Sequence, residues 1–286
     1  MLPEAFLQRM QAQLGPEYEA FLNSLERPRA VALRFNPLKG ERPSLPFVGE
    51  PVPWEPEGVY YDSEARPGLH VYHEAGVYYL QEASAMAPVA LLDPQPGEKV
   101  CDLCAAPGGK TTQIAGRMLG RGFLLCNEIN PKRAKILSRN IERMAVPNAL
   151  VTNEHPENLA RRFSGFFDRV LVDAPCSGMG VLRRRAEARW RKQRQDLKLF
   201  PPLQLEILQN AAQYVKAGGR MVYSTCTIEQ SENHYLIEEF LANNPAWHRV
   251  PFAHPLTGEM VEELQILPQV DGIDGFYICV LEKRNE

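Results

Sequence analysis

The chain has 286 residues, 44% hydrophobic and 23% charged, with a formal net charge of −3. That balance suits a soluble globular protein of one large or two ordinary domains with a sizeable core. No run approaches the ~18 consecutive apolar residues of a membrane helix. The opening MLPEAFLQRM lacks the basic head and apolar stretch of a signal peptide, so a cytoplasmic protein is expected.

In chain order, Phe6, Leu7, Met10 and Leu14 share one helical stripe, stopped by Gly15-Pro16. Pro16 opens a second short helix with Tyr18, Phe21, Leu22 and Leu25 inward. AVALRFN alternates Val31, Leu33 and Phe35 as a strand does, and Asn36-Pro37 turns it. Seven prolines between 37 and 68 predict an irregular lobe without regular sheet, which ends near residue 72. YYLQEASAMAPVALL then reads as a helix. From KVCDLC (99–104) onward strands and helices alternate: GFLLCNEI, a helix capped by Asn130-Pro131, ALVTN, RVLVDAP, a helix expected to end at Gly218-Gly219, and GRMVYST. A helix over 227–241 follows. ELQILPQV and GFYICVLE, joined through Asp271-Gly272, read as an antiparallel hairpin on the sheet edge. Alternating strands and helices imply an α/β fold, a mostly parallel sheet with helices on both faces.

In such sheets ligands bind beyond the carboxyl ends of the strands. The first of these ends is DLCAAPGGKT, where Gly108 and Gly109 admit close backbone approach and a helix N-terminus follows. Glu128, at the end of the second strand, fits a carboxylate gripping a ribose hydroxyl pair. The loop is neither GxGxxG nor GxxxxGK[ST], which counts against a dinucleotide or a P-loop. It suits an adenosyl group without pyrophosphate, as in S-adenosylmethionine. CDLC matches CxxC, but no second pair completes a zinc tetrahedron, and His70 and His73 stand apart, so no metal is expected.

Cys176 and Cys226 both follow strand ends. Paired with a methyl donor, a thiol suits alkylation of an unreactive carbon: thiolate addition to carbon 6 of cytosine makes carbon 5 nucleophilic. Asp173, three residues before Cys176, is placed to draw off the developing charge at the ring. Local chemistry leaves either thiol as nucleophile, with Cys176 of the Pro-Cys pair the more obvious candidate. The net charge hides a reversal: Arg183–Lys198, RRRAEARWRKQRQDLK, carries eight basic and two acidic residues. It is either a solvated face or a phosphate-contacting patch with Trp190 as a stacking surface.

DLCAAPGGKT, NEINPKRAKIL, VLVDAPCSGMG and MVYSTCTI…SEN together closely resemble the RNA cytosine-C5 methyltransferases of the Sun/Fmu and RsmF type, over about residues 28–286. LRFNPLK looks like that family's N-terminal lobe. The resemblance implies a Rossmann-like class I S-adenosylmethionine-dependent methyltransferase, with an N-terminal lobe over 1–72 and a catalytic domain over 73–286. It implies methylation of carbon 5 of a cytosine in RNA, ribosomal RNA favoured and transfer RNA the nearest alternative. By resemblance Cys226 attacks, Cys176 assists product release and Asp173 contacts the base. The resemblance also implies that Cys104, Ala105, Ala106, Pro107, Gly108, Gly109, Lys110, Glu128, Asn153 and Asp173 line the cofactor site. Asn153 stands where many members have Asp, and its amide can still hydrogen-bond. RsmF enzymes usually continue into a C-terminal RNA-binding extension and Sun-type enzymes add an N-terminal one. This chain is expected to be either a core-only member or a cut one, and Arg183, Arg184, Arg185, Arg189, Trp190 and Arg191 become the expected RNA contact. A monomer is expected. The rivals are a small-molecule or protein methyltransferase with structural cysteines, and a non-catalytic RNA-binding ribosome assembly factor.

Overall fold

A computed structural model describes residues 2, 4–183 and 198–285. Two short helices, α1 (Glu4–Leu14) and α2 (Tyr18–Ser24), lead into an antiparallel sheet of order β2-β3-β1-β4. Its strands are β1 (Ala32–Phe35), β2 (Val48–Pro51), β3 (Gly58–Tyr61) and β4 (Tyr78–Leu80). The proline-rich stretch is therefore not irregular throughout. Pro51 sits at the end of the edge strand β2, where a missing N–H disrupts least. The helix expected over 78–92 divides into β4, a 3₁₀ turn at Ser84–Met86 and α4 (Ala87–Leu92), after the single turn α3 (Val71–Glu74). Tertiary pairing decides this: Tyr78 and Tyr79 lie opposite Phe35 and Arg34 of β1, with Tyr78 fully buried. The N-terminal sheet thus takes its fourth strand from beyond residue 72.

The main sheet holds β5 (Lys99–Asp102), β6 (Phe123–Asn127), β7 (Ala149–Thr152), β8 (Phe167–Asp173), β9 (Val215–Thr225), β10 (Trp247–Arg249), β13 (Glu263–Ile266) and β14 (Phe276–Lys283), while β11 (Phe252–Ala253) and β12 (Met260–Val261) pair with each other apart from it. Its order is β10-β14-β9-β8-β5-β6-β7 with β13 also on β14; β5 to β9 are parallel and β14 runs antiparallel to β9. Period-two alternation divides two cores. Val100, Leu124, Leu171 and Val222 join the cluster containing α4, α5 (Gly109–Arg117) and α6 (Pro131–Arg143). Cys101, Leu125, Val170, Met221 and Tyr223 face α7 (Pro156–Arg162), α8 (Phe200–Tyr214) and α9 (His234–Asn243). Gly218-Gly219 does not cap α8, which ends at Tyr214. Instead these glycines sit within β9, where a Cβ on Gly219 would meet Val215 Cγ1 at 2.6 Å. The register with β8 shifts here, the mark of a bulge.

Two contacts join the N-terminal lobe to the main sheet's functional end. Phe6, Met10, Phe21 and Leu25 pack with Met179, Leu182 and Ile228, while Arg9 pairs with Glu229 and Gln13 Nε2 donates to the Ile228 carbonyl. Arg34, fully buried on β1, donates to Gln81 Oε1 (3.0 Å), the Gly109 carbonyl (2.9 Å) and Thr112 Oγ1 (2.8 Å). Burial lowers its pKa to about 10, which still leaves it charged at neutral pH. Removing one partner of a buried charged network is costly, so Arg34→Met should lower unfolding free energy by about 3 kcal/mol. Urea denaturation with an unchanged slope would check this.

Candidate active site

The chain leaves β5 at Asp102 and returns on its other side as β8, which makes the β5/β8 carboxyl ends the sheet's switch point. Leu103–Gly108 forms the turn into α5. Gly108 adopts φ 115°, and a Cβ on it would crowd Leu137 and Asn140 at 3.2–3.3 Å, so the residue suits both the backbone and the packing. Asp102 is buried, accepts Thr111 Oγ1–H at 2.6 Å through Oδ2, and has no partner among the described residues for Oδ1. Burial pushes its carboxyl up to about 7. Burial likewise pushes the Cys101 and Cys104 thiols up, and Cys101 lies in the core, so this CxxC holds two protonated thiols.

Glu128, 3% exposed after β6, accepts the Asn130 N–H at 2.9 Å and faces the Arg133 guanidinium at 3.3 Å. Arg133 also donates to the Ala106 carbonyl, tying the loop after β6 to the loop after β5. Asn153, past β7, donates its amide to the carbonyls of Glu128 and Ile129 at 2.6 and 2.8 Å. Its Oδ1 can only accept. Lys110, in the first turn of α5, pairs with Asp173 Oδ2 at 2.8 Å, and Ser224 Oγ donates to Asp173 Oδ1 at 2.9 Å.

The parallel register sets Asp173 opposite Ser224, and the two loops that follow bring Cys176 Sγ and Cys226 Sγ to 3.1 Å. No disulfide links them. The hydrogen bond with Cys226, then burial, hold the Cys176 thiol well above the ordinary cysteine range. Behind the pair, Ser177 and Thr227 hydroxyls meet at 2.7 Å, and Gly180 N–H donates to the Cys226 carbonyl. Gly180 permits this because Gly275 packs directly on it: a Cβ there would lie 2.1 Å from the Gly275 oxygen.

The structure thus brings Cys176, Cys226, Asp173 and the residues 104–110 to one end of the sheet, with Glu128 and Asn153 on the adjoining strands. Arg183 is placed differently from its expected outward role. Its side chain is 4% exposed, with the guanidinium 3.5 Å from Asp274 and bonded to the Gly272 carbonyl. Arg184, Arg185, Arg189, Trp190 and Arg191 lie outside the described residues. Sequence reasoning missed Asp102, Arg133, Ser177, Thr227, Gln204 and Glu232. Asp102, Arg133, Ser177 and Thr227 gave no signal beyond lying in a motif, Gln204 gave none, and Glu232 stood in the SEN tripeptide without an assigned role.

Residues 89–282 match the family of the 16S rRNA methyltransferase RsmB/F, and residues 2–83 match the N-terminal domain of 16S rRNA methyltransferase RsmF. The chain belongs to the RsmB/F methyltransferase family. It is 36% identical to the ribosomal RNA small subunit methyltransferase F of Klebsiella pneumoniae over 98% of this chain and 63% of that protein. The chain therefore spans less than two thirds of that relative's length. A crystal structure of PH0851 is similar at 29% identity and TM-score 0.91, covering 99% of this chain and 66% of that one. A methyltransferase homologue from Pyrococcus horikoshii is similar at 26% identity and TM-score 0.78, covering 99% and 100% of the two chains. The expected class I methyltransferase fold and the family resemblance are both shown. Among the described residues, no helix is long and apolar enough to cross a membrane.

Two measurements follow from this geometry. Dibromobimane, which needs two thiols a few ångströms apart, should cross-link Cys176 to Cys226, and Cys226→Ser should abolish that fluorescent product. For Asp102 the native carboxyl keeps its proton to about pH 7, against the ordinary 3.8. The native state then binds more protons between those values, so this group makes stability fall as pH rises from about 4 to 7. Asp102→Asn should flatten that part of a pH series of urea unfolding.

Proposed function

We propose that this chain catalyses methylation of carbon 5 of a cytosine in RNA, with ribosomal RNA as the favoured substrate, through a covalent Cys226–carbon 6 adduct. The observation that carries this reading is the Cys176–Cys226 contact of 3.1 Å beside Asp173 at the switch point. Two structural thiols would not need to converge at the strand ends beside a carboxylate.

The residues present fit S-adenosylmethionine. Carboxylates end three adjacent strands, Asp102, Asp173 and, just past β6, Glu128, which favours a cationic cofactor, and Asp102 Oδ1 is a buried acceptor without a partner among the described residues. Glu128 is placed to hold a ribose, Asn153 to accept through Oδ1, and the Gly108-Gly109 turn to pass close to the ligand. When bound, that cofactor supplies an electrophilic methyl group.

The thiolate of Cys226 adds to carbon 6 and leaves carbon 5 as the nucleophilic end of an enamine. Asp173 and Lys110, 2.8 Å apart, face the ring's polar edge, where the developing charge gathers. In the last step the S–C6 bond breaks and its electrons return to Cys226, while the carbon-5 proton passes to the Cys176 sulfur as that thiol gives up its own, and the C5–H electrons re-form the C5=C6 double bond. Cys176, kept protonated, donates its S–H to the departing sulfur. The choice of Cys226 as the attacking thiol follows the family resemblance. With Arg183 turned to Asp274, the RNA contact in the basic run is proposed for Arg184, Arg185, Arg189, Trp190 and Arg191.

The test uses labelled S-adenosylmethionine with ribosomal RNA, and transfer RNA as the comparison substrate. Cys226→Ala should reduce transfer to background. Cys176→Ala should accumulate a protein–RNA adduct that survives a denaturing gel. An adduct in the Cys226 variant and none in the Cys176 variant would reverse the roles.

A further inference from the structure

The carboxyl group of Glu232 is fully buried behind the thiol pair, and the reaction proposed above does not use it. Its Oε2 accepts the Ser177 N–H and Gln204 Nε2–H, each at 2.9 Å. Gln204, from α8, also donates to the Pro175 carbonyl, so these donors bracket Cys176 on both sides. Ser177 Oγ then meets Thr227 Oγ1, the neighbour of Cys226. The backbone of Glu232 is fixed as well, since Tyr223 on β9 donates its hydroxyl to the Glu232 carbonyl at 2.8 Å. One carboxyl group therefore reaches the Cys176 loop directly and the Cys226 loop through a hydroxyl pair.

We propose that Glu232 is the positioning residue that divides the labour between the two thiols: it clamps the Cys176 loop against Cys226 and keeps the pair's proton on Cys176. The inference rests on the proposed roles of Cys226 as nucleophile and Cys176 as proton-bearing partner. Two N–H donors converging on one oxygen favour the ionised carboxyl, while burial works against it and raises its pKa. Glu229, on the same turn, adds like charge, and the Tyr223 phenol and Cys176 thiol also face Glu232. Beyond the Cys226 hydrogen bond and burial, the negative charge of Glu232 further opposes thiolate formation at Cys176. The proton is held on the sulfur whose loop Glu232 grips, and the thiolate is left to Cys226.

The test reads each thiol separately. The full chain is alkylated with iodoacetamide across pH 6 to 10, and Cys176- and Cys226-containing peptides are quantified by mass spectrometry. In the wild type, Cys226 should alkylate at lower pH than Cys176. Glu232→Gln keeps an acceptor for both donors and removes only the charge. It should move the Cys176 profile to lower pH by about one unit, narrowing the neutral-pH preference for Cys226 about tenfold. A Glu232→Gln profile superimposed on the wild type would overturn the inference, since a purely structural clamp predicts that outcome. Should the variant fail to fold, the wild-type order decides alone: Cys176 alkylating before Cys226 overturns the inference as well. Failure of the functional reading looks different. Methyl transfer by both Cys226→Ala and Cys176→Ala would sink the covalent cytosine-C5 reading while leaving the wild-type thiol profiles as they are.

Discussion

The in-register parallel pairing of β8 with β9 is the constraint on which the rest of this structure depends. Asp173 lies opposite Ser224, so the loops leaving these two strands start side by side and deliver two cysteines to within 3.1 Å. Shifting that register by one residue would turn Val170, Val172, Met221 and Tyr223 from one core to the other. The hydrophobic alternation that builds the two cores therefore also fixes the thiol geometry. Around this pairing the site needs little more than acceptors and donors at neighbouring strand ends.

The N-terminal lobe is part of that frame. Its helices pack on Met179, Leu182 and Ile228, residues of the two thiol-bearing loops, and its buried Arg34 bonds the first turn of α5. Both ends of the site, the cofactor turn and the thiol loops, thus have an N-terminal residue behind them. The match of residues 2–83 to the RsmF N-terminal domain agrees with a lobe built for this scaffold. Glu232 stands on the Cys176 side of the thiol pair, where it accepts the Ser177 N–H.

Much of the fold was legible because its signals are local. The strand–loop–helix at 99–117, the Asn130 cap and the terminal hairpin each follow from periodicity and a few punctuating residues. The departures have a common cause. β2 and β4 are held by pairing with distant strands, so the prolines of 37–68 and the helix-like run at 78–92 misled. Gly218-Gly219 looked like a helix stop and proved to be a strand bulge, because Tyr214 and Val215 had already been taken into the core behind β8. Arg183 belongs to a basic run by sequence and to Asp274 by structure.

By itself the sequence determined the class of fold, the cofactor-type turn, the family and the membership of both cysteines in strand-end motifs, since each is written in contiguous residues. It left open which thiol attacks, except by resemblance. The tertiary structure decided that the thiols touch, that this contact and burial raise the Cys176 thiol, and that Glu232, Ser177, Thr227 and Gln204 surround them. The physical reason is that a thiol's ionisation depends on burial and on charges brought near by folding, over sequence separations of about fifty residues that no local pattern encodes.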